Sequence, residues 1–95
     1  MMVTESSQLL RSADVIGAEL QDSIVLLQMK TWSYLALNES GIQAWRLLEQ
    51  QRSLSSLTAA LMAEFDVDEA TCRGDTQAFV EDLAAKGFLR VQAPA

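Results

Sequence analysis

Side chains with reactive or metal-binding chemistry are scarce in this sequence. Cys72 is the only thiol, and no histidine occurs. A zinc site needs a cluster of thiolates or imidazoles, which these residues do not supply. An internal disulfide would need a second cysteine, and the commonest general base is missing. Cys72 therefore reads as a small apolar residue on a helix face rather than as a reactive thiol. The acids are clustered: residues 64–82 hold Glu64, Asp66, Asp68, Glu69, Asp75, Glu81 and Asp82 against Arg73 alone. Such a run is either a solvated helix face or an attractor of a basic partner. Enzyme is the class these residues support least, and neither metal nor cofactor is expected.

The totals describe what must carry any other function. Ninety-five residues, 49% hydrophobic and 21% charged, suffice for one folded domain. No apolar run reaches 18 residues, so no membrane span is expected. The opening MMVTESSQLLRSAD has neither a basic leading region nor a long apolar stretch, which argues against a secretory signal and for a cytoplasmic protein. Residues 1–12 are expected to be a loose N-terminus, 13–91 the domain, and 92–95 a short tail.

Strand signals fill the first half of the chain and helix signals the second, which points to an α+β domain. Val15 to Leu20 reads as a first strand and Gln21-Asp22-Ser23 as a turn. Ile24 to Met29 reads as a nearly all-apolar second strand covered on both faces. Lys30-Thr31 turns the chain into a third strand, Trp32 to Leu37. Short turns make the three an antiparallel meander with the first and third strands at the edges. Helix one is expected from Glu39 to Gln50 with Asn38 as its cap. Helix two follows Ser53 and carries Leu54, Leu57, Leu61, Met62 and Phe65. Helix three follows Asp68, carries Cys72, Thr76, Phe79, Val80 and Leu83, and ends at Lys86 before Gly87. Phe88-Leu89 is expected to fold back onto the core. Gly74 inside helix three costs about 1 kcal/mol against Ala, either for close approach or as a tolerated weakness.

The stretch WSYLALNESGIQAW poses the functional question. Leu35 and Leu37 point to one side of the third strand, and Trp32, Tyr34 and Ala36 to the other. An edge strand with two apolar faces is an aggregation hazard that proteins blunt with Lys, Pro or a bulge, and none lies between Trp32 and Leu37. Either another element covers this edge, or it is kept open for a guest strand.

Five segments bear on that choice: LLRSADVIGAEL, SIVLLQM, YLALNESGIQAW, SLSSLTAALMAEFDVD and DTQAFVEDLAAKGFL. Their order, with Leu37-Asn38-Glu39-Ser40-Gly41 followed by Trp45, and the spacing of Asp75, Phe79, Leu83 and Gly87, resembles the PqqD-like family of precursor-peptide recognition domains. The resemblance covers roughly residues 9 to 91. It implies a winged-helix-like domain, a three-stranded antiparallel sheet followed by three helices, without catalysis of its own. It also implies that the leader segment of a ribosomally made precursor peptide adds as a strand to the third strand, in a groove against helix three. Main-chain hydrogen bonds then give generic affinity and side-chain pockets give specificity. Carried over, Ser33, Tyr34, Leu35 and Ala36 would offer backbone groups to the leader, flanked by Trp32. Asp75, Thr76, Phe79, Val80 and Leu83 would line the wall, Thr76 and Val80 being the stronger groove candidates and Phe79 and Leu83 either groove or core. Asp75 would serve the fold or a basic leader residue. The implied partners are a leader peptidase and a cyclase of a lasso-peptide pathway or, as the alternative, a radical SAM enzyme in pyrroloquinoline quinone-type synthesis. The chain would act alone or as a domain of a larger enzyme.

Three other classes fit less well. A winged-helix DNA-binding regulator needs a basic recognition helix, whereas the candidates here hold Arg52, or Arg73 with Lys86, in a chain of net charge −6. No nucleic-acid partner is expected. A carrier protein would place its phosphopantetheine serine at a helix start, whereas Asp22-Ser23-Ile24 leads into a strand. A homodimer through the third strand would use the same open edge and compete with the peptide.

Overall fold

The computed structural model describes Thr4 and residues 6–21, 23–50 and 53–92. Asp22, in the expected first turn, and Arg52 lie outside the described residues. Eight elements follow in order: strands β1 (Gln8–Arg11), β2 (Val15–Glu19), β3 (Ile24–Gln28) and β4 (Ser33–Leu37), helices α1 (Glu39–Leu47), α2 (Leu54–Glu64) and α3 (Glu69–Ala85), and strand β5 (Leu89–Gln92). β2, β3 and β4 form the expected antiparallel meander in that spatial order, with Leu26 opposite both Gly17 and Leu35. The fold is thus α+β, with a three-stranded sheet followed by three helices.

Two segments depart from the expected ends. Gln8–Arg11, placed by sequence in a loose N-terminus, is strand β1, and Gln92, placed in the tail, ends strand β5; the two pair antiparallel as a separate ribbon. Leu9 and Leu89, both buried, hold this ribbon on the core. Four-residue strands are too short to display an alternation that sequence reasoning can read. α1 ends at Leu47 rather than Gln50.

The helix starts are chemically specified. The Asn38 side chain accepts a hydrogen bond from the Gly41 N–H at 2.9 Å, and Ser53 and Ser56 form a reciprocal capping box at α2. The Asp68 carboxylate accepts from the Thr71 N–H at 3.0 Å. Each satisfies a donor that a helix N-terminus leaves free. At the other end of α3, Gly87 takes φ +83°, where a Cβ would also press on the Gln28 side chain. Gln28, itself buried, donates through Nε2 to the Gly87 carbonyl at 2.6 Å and accepts from the Lys30 N–H at 2.8 Å. The sheet is thereby tied to the turn that releases the chain from α3 into β5.

The core lies between one sheet face and the helices. Ile24, Leu26 and Leu37 meet Trp45, Leu57, Val80, Leu83 and Phe88 there, all buried. The other sheet face is not covered as expected for Ile24 to Met29. Val25 and Leu27 are half-buried, and around them Ile16, Leu20, Met29 and Tyr34 are exposed.

Candidate peptide-binding edge and cavity

The hydrogen bonds closing the meander decide which backbone groups β4 leaves free. Leu20 N–H donates to the Ser23 carbonyl at 2.8 Å, and Met29 N–H donates to the Asp14 carbonyl at 2.8 Å. Odd-numbered β3 residues therefore turn their amide groups toward β2, and even-numbered ones toward β4, because the direction alternates along an antiparallel strand. Through the register Ile24–Leu37, Leu26–Leu35 and Gln28–Ser33, the odd-numbered β4 residues bond to β3. Tyr34 and Ala36 direct their N–H and C=O groups away from the sheet. Of the four backbone candidates Ser33, Tyr34, Leu35 and Ala36, the alternation thus selects two.

Trp32 is not the first strand residue. It sits in the turn before β4 with φ +58°, a left-handed conformation that costs a non-glycine residue about 1–2 kcal/mol. Trp32 and Tyr34 are 73% and 76% exposed, so the edge is flanked by two aromatic rings facing solvent. Along β4 itself, Leu35 is half-buried and Leu37 buried, which agrees with the alternation read from sequence.

Where β4 ends, a cavity of about 320 Å³ opens among the three helices, walled by Gly41, Ala44, Leu61, Phe65, Thr76 and Phe79, with Asn38 and Asp75 also lining it. Gly41 is needed at this junction. A Cβ there would lie 3.2 Å from Asn38 Oδ1, 3.4 Å from the Phe79 ring and 3.5 Å from Leu37 Cβ. The same figures put Phe79 beside the C-terminal end of β4, with the first turn of α1 between them.

The helix-three candidates sort differently from the expectation. Val80 and Leu83 are fully buried and belong to the core, so Val80 offers the groove no surface; Phe79, half-buried, lines the cavity instead. The reason is helix geometry. α3 turns Cys72, Thr76, Val80 and Leu83 into the core toward α2 and β5, and Phe79 lies one step around toward the α1 start. Thr76 is buried yet reaches the cavity, and Asp75 is exposed at it. Cys72 is buried; its Sγ lies 3.7 Å from the Thr58 carbonyl, to which the thiol donates, and 3.8 Å from Thr76 Oγ1. Sequence reasoning does not assign Ala44, Leu61 or Phe65 to a site, since nothing in helical spacing separates a cavity wall from a core.

The electrostatic features lie elsewhere. The Thr71 side chain and amide hold the Asp68 carboxyl below its usual range. Burial lowers the Arg11 guanidinium pKa, partly offset by Glu49. Among the described residues no cluster of acids and thiols is arranged to hold a metal ion, and no helix is long and apolar enough to cross a membrane.

Comparison with known proteins adds three findings. Residues 23–89 match the family model described as Coenzyme PQQ synthesis protein D (PqqD). The solved structure of TbiB1 in complex with the TbiA(beta) leader peptide superposes with a TM-score of 0.79 at 33% sequence identity, covering 85% of this chain and 94% of that one. A lasso peptide synthetase B1 complexed with the leader peptide superposes with a TM-score of 0.74 at 23% identity, covering 87% of this chain and 98% of that one, which bears on the fold alone. No curated protein sequence matches the chain.

Proposed function

This chain belongs to the PqqD family, and from that premise we propose that it binds the leader segment of a ribosomally made precursor peptide and presents it to modifying enzymes. The leader adds as a strand beside β4, where Tyr34 and Ala36 supply two N–H donors and two C=O acceptors. Its anchoring side chain enters the cavity at Phe79, Thr76 and Gly41. Backbone pairing supplies affinity indifferent to sequence, and the cavity supplies selection. The chain does no chemistry itself in this reading. The observation that carries it is the outward-facing pair Tyr34 and Ala36 on an edge strand without a blocking charge or proline.

In this reading the enzymes served are a leader peptidase and a cyclase; similarity at 33% identity to TbiB1, solved in complex with a leader peptide, supports the leader-binding step. The family description favours a second destination, a radical SAM enzyme acting on a pyrroloquinoline quinone-type precursor. Titration with the leader of each precursor type, followed by tryptophan fluorescence, separates the two. Trp32 lies next to the edge and Trp45 is buried, so one ring reports binding and the other folding. Saturation at micromolar concentration with one leader, lost on scrambling it, supports the reading and names the pathway. A folded protein that binds neither contradicts it.

A further inference from the structure

The sheet has a second open edge, and its surroundings differ from those of β4. By the same alternation, the even-numbered residues of β2 bond to β3, and Gly17 and Glu19 turn their N–H and C=O groups outward. Val15 also lies on the outer side, although its N–H is taken by the Ser12 carbonyl at 3.3 Å. Beside this edge runs a cleft between β2 and α1, bounded by Arg11, Val15, Gly17, Glu19, Arg46 and Glu49. Arg11 stacks 4.5 Å over the Trp45 ring and donates through Nη2 to the Trp45 carbonyl, yet its buried Nε has no hydrogen-bond partner among the described residues. Arg46 pairs with Glu19, each more than half exposed.

From this arrangement we infer that the β2 edge pairs with the β2 edge of a second copy of this chain, antiparallel about Gly17. Charge complementarity selects a copy over another partner. The two arginines and two glutamates of the cleft cancel in a chain of net charge −6, so this face escapes the repulsion that the acidic remainder imposes. A two-fold axis through Gly17 sets Glu19 of one copy opposite Val15 of the other. It thereby brings that carboxylate to the side of the cleft that holds the Arg11 guanidinium. Such an interface is isologous, so the approach of Glu19 to Arg11 occurs twice. A Cβ on Gly17 at the axis would project out of the sheet plane toward Leu26 and Ile24 of its own chain, so this position leaves the pairing unobstructed. On the exposed face Ile16 of one copy comes beside Ala18 of the other, extending an apolar surface across six strands. The β4 edges lie at the far ends of that sheet, so one dimer holds two peptide sites that do not compete with self-pairing.

Sedimentation equilibrium of the wild-type chain from roughly 10 µM to 1 mM tests this. The average mass is expected to climb from one chain toward two. Gly17→Pro removes only an outward N–H, since proline is tolerated where that group faces away from the ladder, and is expected to weaken self-association roughly tenfold or more. Ala36→Pro, at the other edge, leaves it unchanged. A single-chain mass throughout overturns the inference, as does association untouched by Gly17→Pro or lost with Ala36→Pro. Should Gly17→Pro fail to fold, amide exchange in the wild type decides: slowing at Gly17 and Glu19 as concentration rises supports the pairing, and exchange independent of concentration refutes it.

Discussion

Substituting proline at two neighbouring β4 positions separates the peptide edge from the fold. Ala36 directs its N–H outward and Leu35 directs its N–H at Leu26 within the sheet. Proline at 36 deletes a donor that the free protein does not use, and its ring leaves Leu35 in the extended region it already occupies. Stability should change little. Leader affinity should fall, because one peptide carbonyl arrives at the edge and finds no partner. An unsatisfied buried acceptor costs about 1–3 kcal/mol, or roughly 5- to 150-fold in Kd. Proline at 35 deletes a ladder bond beside the buried Leu26 and should lower the urea midpoint clearly, by a route unrelated to peptide. The assay is urea unfolding of both variants followed by leader titration of whichever remains folded. If Ala36→Pro is stable and binds normally, the guest strand does not lie on β4. If the two prolines destabilise equally, the assignment of outward and inward groups is wrong.

Other expectations follow from burial and from the cap. Val80→Asp should unfold the domain rather than spare it, because Val80 is fully buried and the charge would be unpaired; circular dichroism reads the loss. Phe79→Ala should keep the fold and weaken leader binding, whereas Phe88→Ala, at a fully buried ring, should cost about 3–5 kcal/mol in chemical denaturation. A Cβ added at Gly74 would meet nothing within 4 Å, so Gly74→Ala should stabilise by about 0.4–1 kcal/mol and raise the melting temperature. Asp68 is held below its usual range in the fold by Thr71. Its contribution is thus complete above the unfolded-state value and disappears as pH falls through the lower folded value. Asp68→Asn should keep the cap but flatten that part of the acid-unfolding curve.

Legibility of the fold and site in the sequence followed the length of the signal. Asn38, Ser53, Asp68 and Gly87 announce helix ends through local chemistry, and each acts in that role. The alternation along Ser33–Leu37 shows which side chains share a face of β4, because period two is visible in five residues. β1 and β5 escape notice because each is four residues long and held by one buried leucine. The cavity is half-legible: Thr76, Asp75 and Phe79 line it, whereas Val80, expected at a groove, is fully buried. A stripe at i, i+3 and i+4 spans more than one face of a helix, and only the direction of α1 across the end of β4 shows which member of the stripe meets the groove. The free amides of Tyr34 and Ala36 depend on the register of the hairpins, which composition does not encode.

Amide hydrogen exchange along β4, measured with and without leader peptide, addresses the central claim residue by residue. In the free protein Leu35 and Leu37 should exchange slowly through their bonds to β3, and Tyr34 and Ala36 fast. With leader bound, Tyr34 and Ala36 should become protected while Leu35 and Leu37 stay as they were. Saturable binding that leaves Tyr34 and Ala36 exchanging as fast as before would contradict strand addition at this edge.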